Sequence, residues 1–390
     1  MKVAARAQVP PFAVMEIIAA ANARRAAGRD VLNLAAGEPA GGASEAIRRR
    51  AIDLLEAGDL GYTEALGVPA LREAIAAHCR DWYGIAVEAS TVAVTTGSSG
   101  GFTLAFLAAF DAGDRVAMAR PGYPAYRNIL AALGCRVVDL ACGPQTRYQP
   151  TVAMLAAAHA QQPLAGLILA SPANPTGTMV DAGELAGIAR WCADHGVRLI
   201  SDEIYHGITY GEQQAPSAAA FAGSGAIVVN SFSKYWAMTG WRVGWMILPD
   251  DLVGPIDALA GNLSLCPPAL AQHAAIAALG PAGMAAARED VARYAEARTL
   301  LLRHLPELGW TNVAPADGAF YLYGDISGSG LDSVTWCARL LDEAGVALTP
   351  GTDFDPVDGH RFVRLSFASP AQVVAEAVDR IVAWQNGLRR

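Results

Sequence analysis

Lys234 is the residue best suited to covalent chemistry in this chain. Of 29 basic residues, only Lys2 and Lys234 are lysine; the rest are arginine. Lys2 sits at the N-terminal end, which leaves Lys234 as the one amine of the folded body. Arginine keeps its proton at ordinary pH, whereas a lysine can lose it and attack a carbonyl. Around it runs VNSFSKYWAMTGWRVGW (229–245), with Ser231 and Ser233 before the lysine and Arg242 after it. Two hydroxyls, a guanidinium and an amine at one strand end can hold a phosphate and attack a carbonyl.

Other groups of the right type recur at strand ends. SDEIY (201–205) closes an apolar run with Asp202 and Glu203. A carboxylate placed there needs a partner to offset desolvation. It either caps a helix or pairs with a cation, or it holds a proton on a heterocyclic nitrogen. SPANPTG (171–177) is a rigid turn that fixes Asn174 between two prolines. VTTGSSGGF (94–102) reads as strand, turn and helix start, where backbone N–H groups and Ser98 and Ser99 suit a phosphate. RPGYPAY (120–126) sets Tyr123 as a flat wall, with Tyr126 expected to pack. In RFVRLSFA (361–368), strict alternation puts Arg364 on the face of Phe362, Ser366 and Ala368. Its charge calls for a carboxylate, from the protein or from a substrate.

The elements that position these groups follow from the apolar pattern. Runs at 92–95, 115–119, 136–140, 166–170, 197–201, 226–230 and 243–248 are apolar without alternation, as in strands covered on both faces. Helical or turn-rich stretches separate most of them, which predicts a mostly parallel sheet in an α/β domain. Helices are expected at 11–27, 44–57 and 68–82, and a short strand at 31–36. Residues 250–305 are Ala-rich and helical, with breaks near Pro267–Pro268 and Gly280–Pro281. Strands at 320–324 and 361–367 flanked by helices at 331–344 and 371–386 predict a smaller α+β domain. The expected division is 38–284 for the large domain, and 1–37 with 285–390 for the small one, on which the N-terminal helix packs.

Composition removes several function classes. The chain has 390 residues, 53% of them hydrophobic and 17% charged, so it buries a large core and is not disordered. Its net charge of −8, with no basic run, argues against nucleic-acid binding. Six scattered cysteines without a C-x-x-C pair read as free thiols of a reducing compartment. Seven histidines show no metal-ligand spacing, and His206 is expected to be structural. No P-loop lysine motif, G-x-G-x-x-G or G-x-S-x-G is present. Pro10–Pro11 interrupts any signal-peptide core, and no run of 18 apolar residues occurs, so a cytoplasmic protein is expected.

Taken in order, SPANPTG, SDEIY and SFSK…GWRVG resemble the class I/II aminotransferases, the fold-type I enzymes of the aspartate aminotransferase superfamily. The resemblance runs from LAAGEP (34–39) to RLSFA (364–368). It implies transamination between an L-amino acid and a 2-oxo acid, in ping-pong fashion, on pyridoxal 5′-phosphate (PLP) held as an aldimine by Lys234. Lys234 then also shuttles the substrate Cα proton. By the same resemblance Asp202 pairs with the pyridinium nitrogen, Asn174 and Tyr205 bond the phenolic oxygen, and Tyr123 stacks on the ring. Ser98, Ser99, Ser231 and Arg242 take the phosphate, with Ser233 as a further candidate. Arg364 clamps the substrate carboxylate beside Gly37 and Asn174. Tyr62, in GYTEALGVPALREAI, crosses to the neighbour's phosphate in a homodimer with shared active sites. A PLP-dependent lyase of the same fold, of the β-C–S lyase or cyclopropane-forming synthase type, is the alternative. Two departures bear on the substrate. AGGASEAI follows Gly37–Glu38–Pro39 in place of the usual aspartate–phenylalanine stretch. Ser99 stands where some aspartate-preferring relatives carry a lysine, which predicts neutral donors.

Overall fold

The computed structural model describes residues 1–58, 60–212 and 214–388. After β1 (Leu32–Asn33), seven strands build the main sheet. They are β2 (Val92–Thr95), β3 (Arg115–Arg120), β4 (Arg136–Ala141), β5 (Gly166–Ala170), β6 (Arg198–Asp202), β7 (Ile227–Ser231) and β8 (Gly244–Ile247). Their spatial order is β2-β8-β7-β6-β5-β3-β4. Strands β4, β3, β5, β6 and β7 are parallel, and β8 alone runs against both its neighbours. β2 therefore points the same way as the parallel set, so its C-terminal end opens on the same edge. This is the mostly parallel α/β sheet that the apolar runs predict.

Both faces of the sheet are covered, which explains why its strands lack alternation. Leu167, Leu169, Leu199, Val228 and Trp245 belong to one buried cluster. Ile168, Ile200, Val229 and Met246 face the other way, onto Phe102, Phe106 and Tyr126. β4 lies at an edge and is the most exposed strand of the sheet.

A second, antiparallel sheet joins β9 (Tyr321–Asp325), β11 (Thr349–Pro350) and β12 (Phe362–Ser366) in the order β11-β12-β9. β1 pairs in parallel with β10 (Val346–Ala347). The strand expected over 31–36 is thus only two residues long, and β10 and β11 have no periodicity to betray them. Such short strands exist because a partner backbone is present, and nothing local marks them. The N-terminal helix, Ala13–Ala26, packs through Ala21 onto Val31, Ala35, Leu341 and Ala347. Among the described residues, no helix is long and apolar enough to cross a membrane.

Candidate active site

The C-terminal ends of β2, β3, β5, β6 and β7 open on one edge of the sheet, where α/β proteins bind ligands. Asp202 is the last residue of β6 and is buried. Its Oδ1 accepts the Ile204 N–H at 3.1 Å, and its Oδ2 accepts the Tyr126 hydroxyl. Burial pushes its carboxyl up to about 6, against the downward pull of these two donors. Tyr126, expected only to pack, is therefore a partner of Asp202. The RPGYPAY motif could not reveal this, because the contact crosses 76 residues of sequence.

Lys234 follows β7 by three residues. Its Nζ donates to the Gly37 carbonyl at 2.6 Å and lies 5.9 Å from the centre of the Tyr205 ring. Burial lowers the ammonium from 10.5 to about 8. Arg364 and Arg242 lower it further, while Glu38 and Asp202 oppose the shift. The sign follows directly: above pH 8 the amine is mostly neutral, and neutral amine is the form that attacks a carbonyl. Reductive labelling of Lys234 by a small aldehyde is expected to rise with pH and reach half its plateau near pH 8. An ordinary lysine would do so about 2 units higher. Peptide mass spectrometry across a pH series checks this; a midpoint near 10 excludes a depressed amine.

An anion corner lies beside the lysine. The helix Gly97–Ala109 begins directly after β2, and its first-turn N–H groups lack helical partners. The Arg242 guanidinium lies against that turn: a side chain built on Gly97 would collide with it. Gly97 itself has φ +66, a conformation that favours glycine. A side chain at Gly244 would strike the Ser98 amide at 3.0 Å, so β8 also crowds this turn. Ser98 is half-buried there and Ser99 is exposed. Ser231 is wholly buried and differently engaged. Its hydroxyl bonds Ser233 Oγ at 2.9 Å and the Val243 carbonyl at 3.2 Å. It braces the loop that carries Lys234 and Arg242.

Arg364 projects from β12 and is buried. Its three hydrogen bonds all go to neutral oxygens: Asn174 Oδ1 at 2.8 Å, Ala35 O at 2.7 Å and Thr349 Oγ1 at 3.3 Å. The Tyr321 and Phe354 rings lie 4.5 and 4.7 Å from it. Its Nε has no partner. A buried guanidinium with an unused donor and no carboxylate among its hydrogen-bond partners is prepared for an incoming anion.

Tyr205 is buried, and its hydroxyl bonds Tyr321 at 2.6 Å. Tyr321 also explains Gly37, since any side chain there would collide with the Tyr321 hydroxyl. Tyr321, Phe354, Thr349 and Ala35 carry no recognisable signal in the sequence, because strand register sets Thr349 opposite Arg364 and Tyr321 beside it, and loop packing brings Phe354 and Ala35 there. Tyr123 caps the helix Pro124–Ala132 and presents its ring to this edge, 5.3 Å from Tyr126. Glu203 takes the structural course. It accepts from Ser217 Oγ and Ala218 N, both at 2.7 Å, and from Ser201 Oγ at 3.0 Å. His206 is buried between the Tyr83 hydroxyl and the Ser171 carbonyl and is lowered to about 3 by burial, so it stays neutral. Tyr62 is not brought to the group: its ring is 87% exposed and touches little of its own chain.

The constellation fits PLP. A phosphate matches the amide-and-guanidinium corner at Gly97 and Arg242, a flat ring matches the wall at Tyr123, and a nitrogen cation matches Asp202. An amine near its neutral state stands at Lys234, and the orphaned Arg364 Nε awaits a carboxylate. The comparisons with known proteins agree. Residues 29–381 match the family model described as aminotransferase class I and II. The chain is 53% identical over 383 residues to the valine–pyruvate aminotransferase of Mycobacterium tuberculosis, covering 98% of each. It is 34% identical over 373 residues to the aspartate/prephenate aminotransferase of Thermus thermophilus, covering 95% of each. A crystal structure of an aminotransferase from Mycobacterium tuberculosis superposes with a TM-score of 0.95 at 53% identity, covering 99% of this chain and 100% of that one. The chain belongs to the class I and II aminotransferases, PLP-dependent enzymes that transfer an amino group between an amino acid and a 2-oxo acid.

Proposed function

We propose that this enzyme takes its amino group from a monocarboxylic, apolar L-amino acid such as valine, with pyruvate as acceptor. The carrying observation is the buried Arg364, whose hydrogen-bond partners are all neutral and which two aromatic rings flank. One guanidinium accounts for one carboxylate, and the body of the chain has no lysine besides Lys234 to read a second. The name of the Mycobacterium tuberculosis relative, valine–pyruvate aminotransferase, supports the same reading. The test is kcat/KM for valine, alanine and aspartate with pyruvate as acceptor. Valine is expected to exceed aspartate by about tenfold or more, the effect of a carboxylate left without a partner. A hundredfold preference for aspartate would overturn the reading.

In this site Lys234 holds the cofactor and then moves the substrate's Cα proton. Bound PLP supplies the electron sink for the charge left when the Cα–H bond breaks. Asp202 keeps a positive charge on the ring nitrogen, and Tyr126 and the Ile204 N–H orient Asp202. Tyr123 would flank the ring, and Asn174 and Tyr205 would hold its phenolic oxygen. Ser98, Ser99, Arg242 and the helix N-terminus would hold the phosphate, with Ser231 and Ser233 as further candidates. Arg364, beside Gly37 and Asn174, fixes the substrate so that its Cα–H faces Lys234.

The active unit in this proposal is a cytoplasmic homodimer with shared sites. Tyr62 lies in an exposed apolar stretch with Leu60, and the Thr63 N–H to Cys266 Sγ contact at 3.5 Å sets this beside exposed Leu263 and Leu265. Such a patch suits a second copy. Among the described residues, all six cysteines are free thiols, as suits the cytoplasm. A mixed dimer of Lys234→Ala and Tyr62→Phe chains checks the sharing. One of its sites carries both lesions and the other neither, so it is expected to regain about half the wild-type activity. A mixed dimer no better than the two parents would contradict the shared site.

A further inference from the structure

Tyr321 reaches three groups of the site from a strand that carries none of the sequence motifs. It opens β9 in the second sheet, whereas Tyr205 lies just after β6 in the main one. Its ring and its hydroxyl have different neighbours. The ring faces the Arg364 guanidinium, which lies 4.5 Å from the ring centre. The hydroxyl meets the Tyr205 hydroxyl at 2.6 Å and packs against Gly37, where a Cβ would collide with it. The Gly37 carbonyl in turn accepts from Lys234 Nζ at 2.6 Å. Both tyrosines are buried, and among the described residues each hydroxyl has only the other as its partner.

Two phenols bonded to each other use one proton between them and have one left to give. If Tyr205 gives its proton to the phenolic oxygen of PLP, Tyr321 must donate the bond between the two. A hydroxyl that accepts a hydrogen bond is polarised and donates a stronger one, most of all where water is excluded.

We propose that Tyr321 is a positioning residue for the cofactor: its hydroxyl donates to Tyr205, and so aims and strengthens the hydrogen bond from Tyr205 to the phenolic oxygen. The inference rests on the reading of Tyr205 as that oxygen's partner. With PLP attached to Lys234, a proton is shared between the lysine nitrogen and the phenolic oxygen. A donor to that oxygen competes with the proton, so it lowers the pH at which the proton leaves. The charged groups around this point are Arg364 and Asp202 beside Tyr205, and Glu38 and Arg242 beside Lys234. Tyr123 and Tyr126 are the other phenols that face the pair. All of them stay in place when only the Tyr321 hydroxyl is removed, and phenylalanine keeps the ring against Arg364.

The experiment is a pH titration of the visible absorbance of the PLP-loaded enzyme, in the wild type, Tyr205→Phe, Tyr321→Phe and the double variant. Tyr205→Phe is expected to raise the midpoint by about 1–2 units, the worth of a hydrogen bond to a charged oxygen. Tyr321→Phe is expected to raise it by about 0.3–0.6 unit, because strengthening by a neighbour is a fraction of the bond itself. The double variant is expected at the Tyr205→Phe midpoint, since a group that works through Tyr205 adds nothing once that hydroxyl is gone. A packing defect has no reason to depend on the Tyr205 hydroxyl in this way. If Tyr321→Phe does not load PLP, 3-fluorotyrosine at that position keeps the hydroxyl as a stronger donor. It is expected to lower the midpoint, and a rise or no change overturns the role of Tyr321. An unmoved midpoint in Tyr205→Phe overturns the reading of Tyr205, and this inference with it. If Tyr205→Phe shifts the midpoint but Tyr321→Phe stays within about 0.1 unit of wild type, or the two shifts add in the double variant, the role of Tyr321 is overturned and the reading of Tyr205 stands.

Discussion

Lys234→Arg is expected to leave a folded protein that turns over about 10⁴-fold or more slowly, since it removes both the attachment point and the proton carrier. The substitution isolates the chemistry from the charge. Arginine can still donate to the Gly37 carbonyl that holds Lys234 Nζ at 2.6 Å. It can still offer a cation near Glu38 and Asp202, the two groups that oppose the lowered ammonium. It cannot become neutral, and a protonated guanidinium neither attacks a carbonyl nor accepts a proton. Lysine's value here comes from its surroundings, which bring its amine down to about 8. The companion measurement is borohydride treatment of the PLP-loaded wild type followed by peptide mapping. The added mass is expected on the peptide that contains Lys234. Because Lys2 is the only other lysine, the map has a built-in control. Added mass on Lys2, or near wild-type turnover by the Lys234→Arg variant, would remove Lys234 from the mechanism.

Asp202→Asn is expected to keep PLP bound and to slow turnover by about 10²–10³, or about 2.7–4 kcal/mol, as for other buried partners of a developing charge. The substitution removes the charge and one of the two acceptors that Ile204 N and Tyr126 Oη use. Asparagine has the same shape and keeps one oxygen to accept a hydrogen bond. What it lacks is the negative charge that holds a proton on the ring nitrogen. The Asp202 carboxyl is buried and raised to about 6. An ion pair between it and a ring cation would sit in a low dielectric, where losing one partner is costly. Binding and rate are expected to separate, since the phosphate corner at Gly97 and Arg242 is untouched. Equilibrium PLP titration beside single-turnover kinetics checks the separation. A near wild-type rate would remove Asp202 from this role, and loss of binding equal to the loss of rate would make it a binding residue only.

The sequence by itself determined the large sheet and which residue types stand at its strand ends, for physical reasons. Seven apolar runs lacking alternation mark strands with no wet face, and all seven are present, displaced by a residue at most of their ends. Lys234 stands out because arginine replaces lysine everywhere else in the folded body, and Asp202 because a carboxylate ends a buried strand. The alternation of RFVRLSFA places Arg364 on the correct face of β12 before any partner is known. These are local properties, set by period, by residue type and by position at the end of an element.

Tertiary structure decided everything that depends on which distant backbone lies alongside. The register of β12 against β9 sets Arg364 opposite Tyr323, with Tyr321 near the guanidinium, and no local pattern encodes that pairing. The same holds for Tyr126, whose hydroxyl meets Asp202 only because the helix after β3 packs on that face of the sheet. The Ser231 hydroxyl meets the Val243 carbonyl at 3.2 Å only because β8 returns antiparallel beside β7. Chemical capacity is a property of residue types and can be read along the chain. Partners, burial and shifted proton affinity arise from long-range packing, and only the folded chain specifies them.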